Sequence, residues 1–243
     1  MRQPGAGARL RPNWQAFYFA VSFMLVNCCF VPMALAQTGP TAKQASRYTG
    51  LHAAAWHGNV AEIQQLAKSA GLDPNNRDAA GRTPLHVATF ASHNEAIAAL
   101  VKIGANPNLL ENDKYDIITI AAVAGDAKLV ALAIRLGGNP GNITSVYDGT
   151  ALIAAAHLGH VEVVQELIKA GAPLDHVNNL GWTALIEAIV LGDGGKRHTE
   201  TVRALVAGGA NTKITDRSGQ LPIQLATARG YREMVDIIQN VGK

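Results

Sequence analysis

The sequence predicts an all-α repeat solenoid, and its periodicity is the first reason. A leucine or isoleucine recurs at spacings of 34, 33, 34, 33 and 38 residues. A period of 33 or 34 residues is typical of stacked helical repeats. The recurring positions are Leu51, Leu85, Ile118, Leu152, Leu185 and Ile223.

The stretch from Gly81 to Ala88 predicts a helix start, which is the second reason. Gly81 allows a tight turn, Thr83 is a good N-cap, and Pro84 suits the first helical position. Leu85 and Ala88 would then face a neighbouring helix, and alanine is small enough for close approach. We expect an inner helix of this kind in each unit.

Two columns of glycines, the third reason, divide each unit into two helices. The first ends the inner helix at positions 58, 125, 159, 192 and 230, with Ser92 once in its place. An amphipathic run such as residues 162–168 follows, and a second glycine stands at 71, 104, 137, 171 and 209, which suits a helix C-terminus. Each unit is therefore helix, turn, helix and loop.

Two motifs kept in phase carry a family resemblance. Thr83-Pro84-Leu85-His86, followed by Gly104-Ala105-Asn106-Pro107-Asn108, resembles the ankyrin repeat family. The resemblance implies β-hairpin loops that project at right angles to the helices. The third and sixth units depart from the motif, with Asp116-Ile117-Ile118-Thr119 and Leu221-Pro222-Ile223-Gln224. We place the array at residues 48–243, with repeats near 48–80, 81–113, 114–147, 148–180, 181–218 and 219–240.

The first 36 residues have the features of a secretory signal. Three arginines and no acidic residue occur there, an apolar run spans residues 16–31, and Ala34-Leu35-Ala36 precedes Gln37 as a cleavage site. An uncleaved anchor and a lipoprotein modified at Cys28 are the alternatives. Cleavage would remove both cysteines, Cys28 and Cys29, and leave no thiol. Residues 37–47 are polar and unpatterned, and we interpret them as a partly disordered linker.

Composition indicates a folded protein without a nucleic-acid partner. Hydrophobic residues make up 48% of the chain and charged residues 16%. The net charge of +3 comes from the three arginines of the signal, so the remainder balances. We expect a monomer, no stable membrane insertion after cleavage, and no cofactor.

The histidines fit structural positions better than metal ligands. His52 and His86 occupy the motif position at which the resemblance implies a hydrogen bond to the neighbouring loop. Three more follow the turn between helices, at His93, His160 and His198. The histidines do not have the spacing of metal ligands. No serine or aspartate lies in a recognisable nucleophile motif such as G-x-S-x-G. We therefore predict a protein that is not an enzyme.

The fifth unit carries five extra residues, 193–197, between its helices. We expect a flexible surface loop, which repeats tolerate well. The alternative is an anion or partner contact built on Lys196 and Arg197.

Two positions that vary from repeat to repeat provide the candidate contact surface. One is the residue just before the threonine of the motif, and the other is the residue at the end of the inner helix. The resemblance implies that both line the concave face, and aromatic residues and arginine dominate binding hot spots. The alternative is that Trp56 and Phe90 only extend the core. The candidate partner-binding residues are Trp56, His57, Arg82, Phe90, Tyr115, His157 and Trp182.

These features predict an exported, non-catalytic scaffold that binds another protein through its concave face and hairpin tips. A signal-bearing ankyrin protein resembles the bacterial periplasmic kind, which is associated with supporting other periplasmic proteins, and this implies an accessory role toward an enzyme such as a catalase. Two alternatives stay open. One is a secreted effector that binds host proteins, and the other is a small-molecule or haem-binding protein that uses His57 and His157.

Overall fold

The computed structural model describes residues 38–240, which form six successive helix pairs behind one short helix, Ala42–Ala45. The predicted all-α repeat solenoid is confirmed. The proposed signal and its cleavage site lie outside the described residues. The inner helices are Gly50–Trp56, Pro84–Phe90, Ile117–Val123, Ala151–Leu158, Ala184–Val190 and Pro222–Ala228. The outer helices are Val60–Leu66, Asn94–Lys102, Ala127–Arg135, Val161–Lys169, Lys196–Ala207 and Arg232–Gln239.

The predicted helix starts are confirmed, and the two departures from the motif have physical equivalents. Thr83 accepts a hydrogen bond from the amide of His86. In the third repeat, Asp116 takes the place of the threonine, and its Oδ1 accepts from the amide of Thr119 at 2.8 Å. In the sixth repeat, the Gln224 side chain instead accepts from the amide of Leu221 at 2.8 Å. Each substitute satisfies a backbone donor that the first helical turn leaves free.

A column of alanines lies at the centre of the stack. These side chains are completely buried, because neighbouring inner helices pack against one another through them. A larger side chain in this column would have no free volume. The alanines are Ala54, Ala88, Ala121, Ala155, Ala188 and Ala226.

The loops between repeats are hairpins closed by short hydrogen bonds. The amide of Asp78 donates to the carbonyl of Arg82 at 2.9 Å, and the amide of Asn178 donates to Trp182 at 3.0 Å. One antiparallel bridge joins Thr144 and Gly149, while the described residues contain no named strand. Turn and side-chain hydrogen bonds, rather than extended β-ladders, therefore stabilise these hairpins.

The extra residues of the fifth repeat do not form a flexible loop. Lys196 and Arg197 are instead the first, exposed residues of the outer helix Lys196–Ala207. The Oδ1 atom of Asp193 accepts from the amide of Gly195 at 2.9 Å and lies 2.8 Å from Nδ1 of His198. The predicted loop is therefore shorter than five residues, and these contacts bridge the turn that remains.

Residues 38–47, which we call the N-terminal strap and which we predicted to be a linker, contain a short helix and contact the second repeat. Thr41 caps the helix Ala42–Ala45 and bonds with Gln44 in a capping box. Pro40 and Ala45 are buried, and the amide of Tyr48 donates to the carbonyl of Ala45 at 3.1 Å. This packing could not be predicted from residues 38–47 alone, because it depends on Arg82 and Phe90 of the second repeat.

Candidate partner-binding face

Two histidines link inner helices to neighbouring loops, as the sequence analysis expected. Nε2 of His52 bonds to the carbonyl of Arg82 at 3.0 Å. In the next repeat, Nε2 of His86 bonds to the carbonyls of Leu109 at 2.9 Å and Tyr115 at 3.2 Å. Burial lowers the pKa of His86 to about 4, since the protonated ring would lose its hydration. These imidazoles are used by the fold and are not free to bind a ligand.

Three further histidines connect the start of an outer helix with the preceding repeat, in the second, fourth and fifth repeats. Nε2 of His93 lies 3.1 Å from the carbonyl of Trp56, and Nε2 of His198 lies 2.9 Å from the carbonyl of His157. His160 makes the corresponding contact with Val123 at 3.3 Å. Each ring satisfies a carbonyl at the end of an inner helix, where no helical donor remains.

Arg82, a predicted contact residue, is buried rather than exposed, with 5% of its surface accessible. Its Nη2 donates to the carbonyl of Thr38 at 2.8 Å, and its guanidinium carbon lies 5.8 Å from the ring centre of Phe90. Nη1 is 3.7 Å from Oδ2 of Asp78, too far for a hydrogen bond, and neither Nη1 nor Nε has a partner. The site therefore contains unused donor capacity beneath the strap.

Acidic and phenolic groups surround this arginine. The hydroxyl of Tyr48 donates to Oδ2 of Asp78 at 2.7 Å, and burial followed by this bond raises the pKa of Tyr48 to about 12. Glu111 is 6% exposed, and its Oε1 accepts from the amide of Tyr115 at 3.0 Å. Burial raises the pKa of the Glu111 carboxyl. The positive charge of Arg82 is therefore surrounded by acidic groups, and the site as a whole has no excess of positive charge.

Tyr115 is also buried, at 4% exposure, so it is not an open contact residue. Trp56, Phe90 and Trp182 are half-buried. Trp56 and Trp182 pack against the hydrophobic core while keeping part of each ring accessible. Tyr115 therefore belongs to the buried part of these columns, while Trp56, Phe90 and Trp182 keep accessible surface.

The two candidate haem ligands are not brought together. His57 is exposed at the end of the first inner helix. His157 belongs to the fourth repeat, where its Nδ1 faces Oε2 of Glu187 at 3.4 Å without hydrogen-bond geometry. Helices pack about 10 Å apart, so three repeats separate the histidines by roughly 30 Å. A single haem iron cannot bind both.

Glu187 is a buried carboxylate that sequence reasoning missed. It is completely inaccessible, and its Oε1 accepts from Nδ2 of Asn178 at 2.9 Å. The partners come from the fourth-repeat helix and the loop before the fifth inner helix. Nothing in the local sequence indicates that His157, Asn178 and Glu187 meet, because only the stacking of the repeats brings them together.

Exposed apolar side chains are concentrated on two hairpin loops, a feature that the sequence analysis also missed. The large hydrophobic residues with high exposure in the described chain are Ile143 at 54%, Val146 at 55% and Val177 at 44%. Asn179 links their loops: its amide donates to Tyr147 at 2.9 Å, and its Nδ2 donates to the carbonyl of Val146 at 3.1 Å. We call Ile143, Val146 and Val177 the hairpin patch. Clustered exposed apolar residues mark interaction sites more often than scattered ones do.

Neither a metal cluster nor a membrane-spanning helix is present within residues 38–240. Those residues contain no group of three or more histidine, cysteine, aspartate or glutamate side chains placed to hold a metal ion. None of the helices described is both long and apolar enough to cross a membrane.

Comparison with known proteins decides the family. A profile of ankyrin repeats in three copies matches residues 16–111 and 118–216, which is most of the chain. The chain belongs to the ankyrin repeat family. An Escherichia coli K12 ankyrin repeat protein, YahD, is 30% identical over 78% of this chain and 94% of its own length.

Solved structures agree with this assignment. An ankyrin repeat domain from Acinetobacter baumannii AYE is 39% identical, with a TM-score of 0.74 over 79% of this chain and 97% of that one. A chain from the Bdellovibrio bacteriovorus complex of a predatory endopeptidase with its immunity protein is 22% identical, with a TM-score of 0.64, over 79% of this chain and 97% of that one. The second likeness concerns the fold alone.

Proposed function

We propose that this ankyrin repeat protein is a non-catalytic scaffold that binds another protein through the hairpin patch and the adjoining ends of its inner helices. The hairpin patch is the observation that carries the proposal. Ankyrin repeats are typical of protein–protein interaction, and each repeat stacks on its neighbours, so the surface is held rigid before binding. A preformed surface loses little conformational entropy when a partner docks.

The energetic centre of the interface would combine two kinds of residue. The hairpin patch provides apolar area that is exposed to water in the free protein and would be buried by a partner. Trp56 at the end of the first inner helix and Trp182 just before the fifth inner helix provide accessible aromatic surface, and tryptophan is enriched at binding hot spots. Arg82 and Tyr115 contribute by holding the hairpin loops, because both are buried.

We further propose that the chain is exported to the periplasm after cleavage near Ala36-Gln37, and that it acts there as a monomer. The basic start, apolar run and small-residue cleavage site of residues 1–36 support export. An accessory role toward a periplasmic enzyme such as a catalase is the specific form of this proposal, and it rests on resemblance alone. Secretion as an effector for host proteins is the alternative, and it predicts the mature protein outside the producing cell.

A capture experiment with matched variants tests the binding role. The bait is the tagged chain from Gln37, incubated with periplasmic extract, beside a variant that carries Ile143→Ser, Val146→Ser and Val177→Ser. Because these side chains are exposed, each change should alter stability by less than about 0.5 kcal/mol. The proposal predicts that one protein is retained by the wild type and lost by this variant, with both folded by circular dichroism.

The control variant carries three substitutions on the outer helices, the same number as the hairpin-patch variant. Lys102→Ala, Arg135→Ala and Lys169→Ala replace exposed side chains at the ends of three outer helices. This variant should retain the partner as the wild type does. Equal retention by all three baits would show that the hairpin patch is not the interface.

A further inference from the structure

The N-terminal strap covers part of the face that the array would present to a partner. The carbonyl of Thr38 accepts from Nη2 of Arg82 at 2.8 Å. Gly39 rests on the ring of Phe90, since a Cβ atom added to Gly39 would lie 3.1 Å from Cδ1 of that ring. Pro40, the next residue, is buried. Two consecutive strap residues therefore contact two side chains of the second repeat, and the residue that follows them is buried.

The residues at these positions define what the surface accepts. Arg82 offers a buried donor to a carbonyl oxygen, and the ring of Phe90 leaves room for a residue without a side chain. Asp78 and Glu111 flank Arg82, and they disfavour an additional carboxylate. The surface therefore selects an uncharged, extended segment with a glycine followed by proline, as in Thr38 to Pro40.

The strap is held lightly enough to be exchanged. Within residues 38–47 only Pro40 and Ala45 are buried, and the rest are half-buried or exposed. Within the described residues a single hydrogen bond, from Nη2 of Arg82 to the carbonyl of Thr38, connects the strap with the second repeat. Nε and Nη1 of Arg82 have no hydrogen-bond partner while the strap is in place, although Asp78 lies 3.7 Å away, so two buried donors are unsatisfied.

We propose that the surface over Arg82 and Phe90 is a peptide groove, occupied by the strap in the free protein and by an uncharged Gly-Pro segment of the partner in the complex. This inference rests on the proposed protein-binding function. The attached strap competes at a high effective concentration, so a free peptide binds only weakly unless the strap is displaced. A partner gains the necessary advantage by engaging the hairpin patch at the same time.

The test uses a strap variant and a synthetic probe. A Cβ atom at Gly39 would lie 3.1 Å from Cδ1 of Phe90, closer than ordinary van der Waals contact, so the larger side chain of Gly39→Leu should weaken the hold of the strap on the groove. Lys43→Leu changes an exposed residue of the same strap and is the matched control. The probe is a fluorescein-labelled peptide with the sequence of residues 38–46, and its binding to the three chains is followed by fluorescence anisotropy.

We expect the peptide to bind Gly39→Leu about tenfold more tightly than the wild type or Lys43→Leu, because only that variant frees the groove. The same peptide with leucine in place of its glycine should lose this preference. Equal binding to all three chains, or binding to none of them, would overturn the inference. If the capture experiment still distinguishes the hairpin-patch variant in that case, the protein-binding role stands without the groove; if it does not, both fail.

Discussion

Replacing His86 should change how the stability of the array depends on pH. The ring accepts from the amide of Thr83 through Nδ1 at 3.1 Å and bonds through Nε2 to two carbonyls of the next loop. Glutamine is the best replacement, because Gln224 already caps the sixth inner helix from the same position. His86→Gln should therefore keep the helix cap while removing both the titrating group and the two loop bonds.

The magnitude follows from the depressed pKa of His86. In the unfolded chain the ring takes up a proton near its ordinary pKa of 6.5, whereas in the folded protein it does so only near about 4. The unfolded state thus binds more protons between these values, and stability falls as the pH falls. The loss attributable to His86 is about 2 kcal/mol at pH 5 and about 3 kcal/mol at pH 4.

Urea unfolding of both proteins from pH 7 to pH 4.5, followed by circular dichroism, measures this effect. At pH 7 the variant should be about 1–2 kcal/mol less stable, since two loop carbonyls lose their donor. The difference in unfolding free energy between the two proteins should disappear near pH 5, because only the wild type contains His86, which lowers its stability at that pH. His57→Gln, at an exposed ring, should follow the wild-type curve. A gap that stays constant across the range would refute the buried, neutral His86.

Three further substitutions test the packing and the turns. Ala155→Leu should cost about 1–3 kcal/mol by overpacking the alanine column, whereas Arg197→Ala, at an exposed position, should cost little; equal thermal shifts would contradict this register. Ser92 has a positive φ of 56°, so Ser92→Gly should stabilise by about 0.5–1 kcal/mol in the same assay, and a loss of stability would be contrary evidence. Asp116→Ala should cost about 1–2 kcal/mol by removing a helix cap, while Asp113→Ala at an exposed site should be silent, and a silent Asp116→Ala would exclude that cap.

The fold could be predicted from sequence because each repeat carries its own local signals. Thr83, Pro84 and Gly104 specify a helix start and a helix end within a single unit, and the period then requires stacking. Even the departures at Asp116 and Gln224 could be read as replacement caps once the register was known. Stacking of like units made the fold insensitive to the loss of any one signal.

The candidate site could be predicted only in part, because its burial arises between units. Arg82 has the residue type of a hot spot, but the strap and its own hairpin bury it. Glu187 meets His157 from another repeat. The hairpin patch takes its residues from two separate loops, and hydrogen bonds from Asn179 to Tyr147 and Val146 link those loops. Residue type alone distinguishes none of these environments.

Hydrogen–deuterium exchange on the chain, alone and with the captured partner, tests the proposed interface most directly. The account predicts slower exchange in the loops 139–149 and 174–180, which carry the hairpin patch, with the outer helices unchanged. Protection confined to the outer helices, or none anywhere in the array, would contradict the proposal that these loops bind the partner.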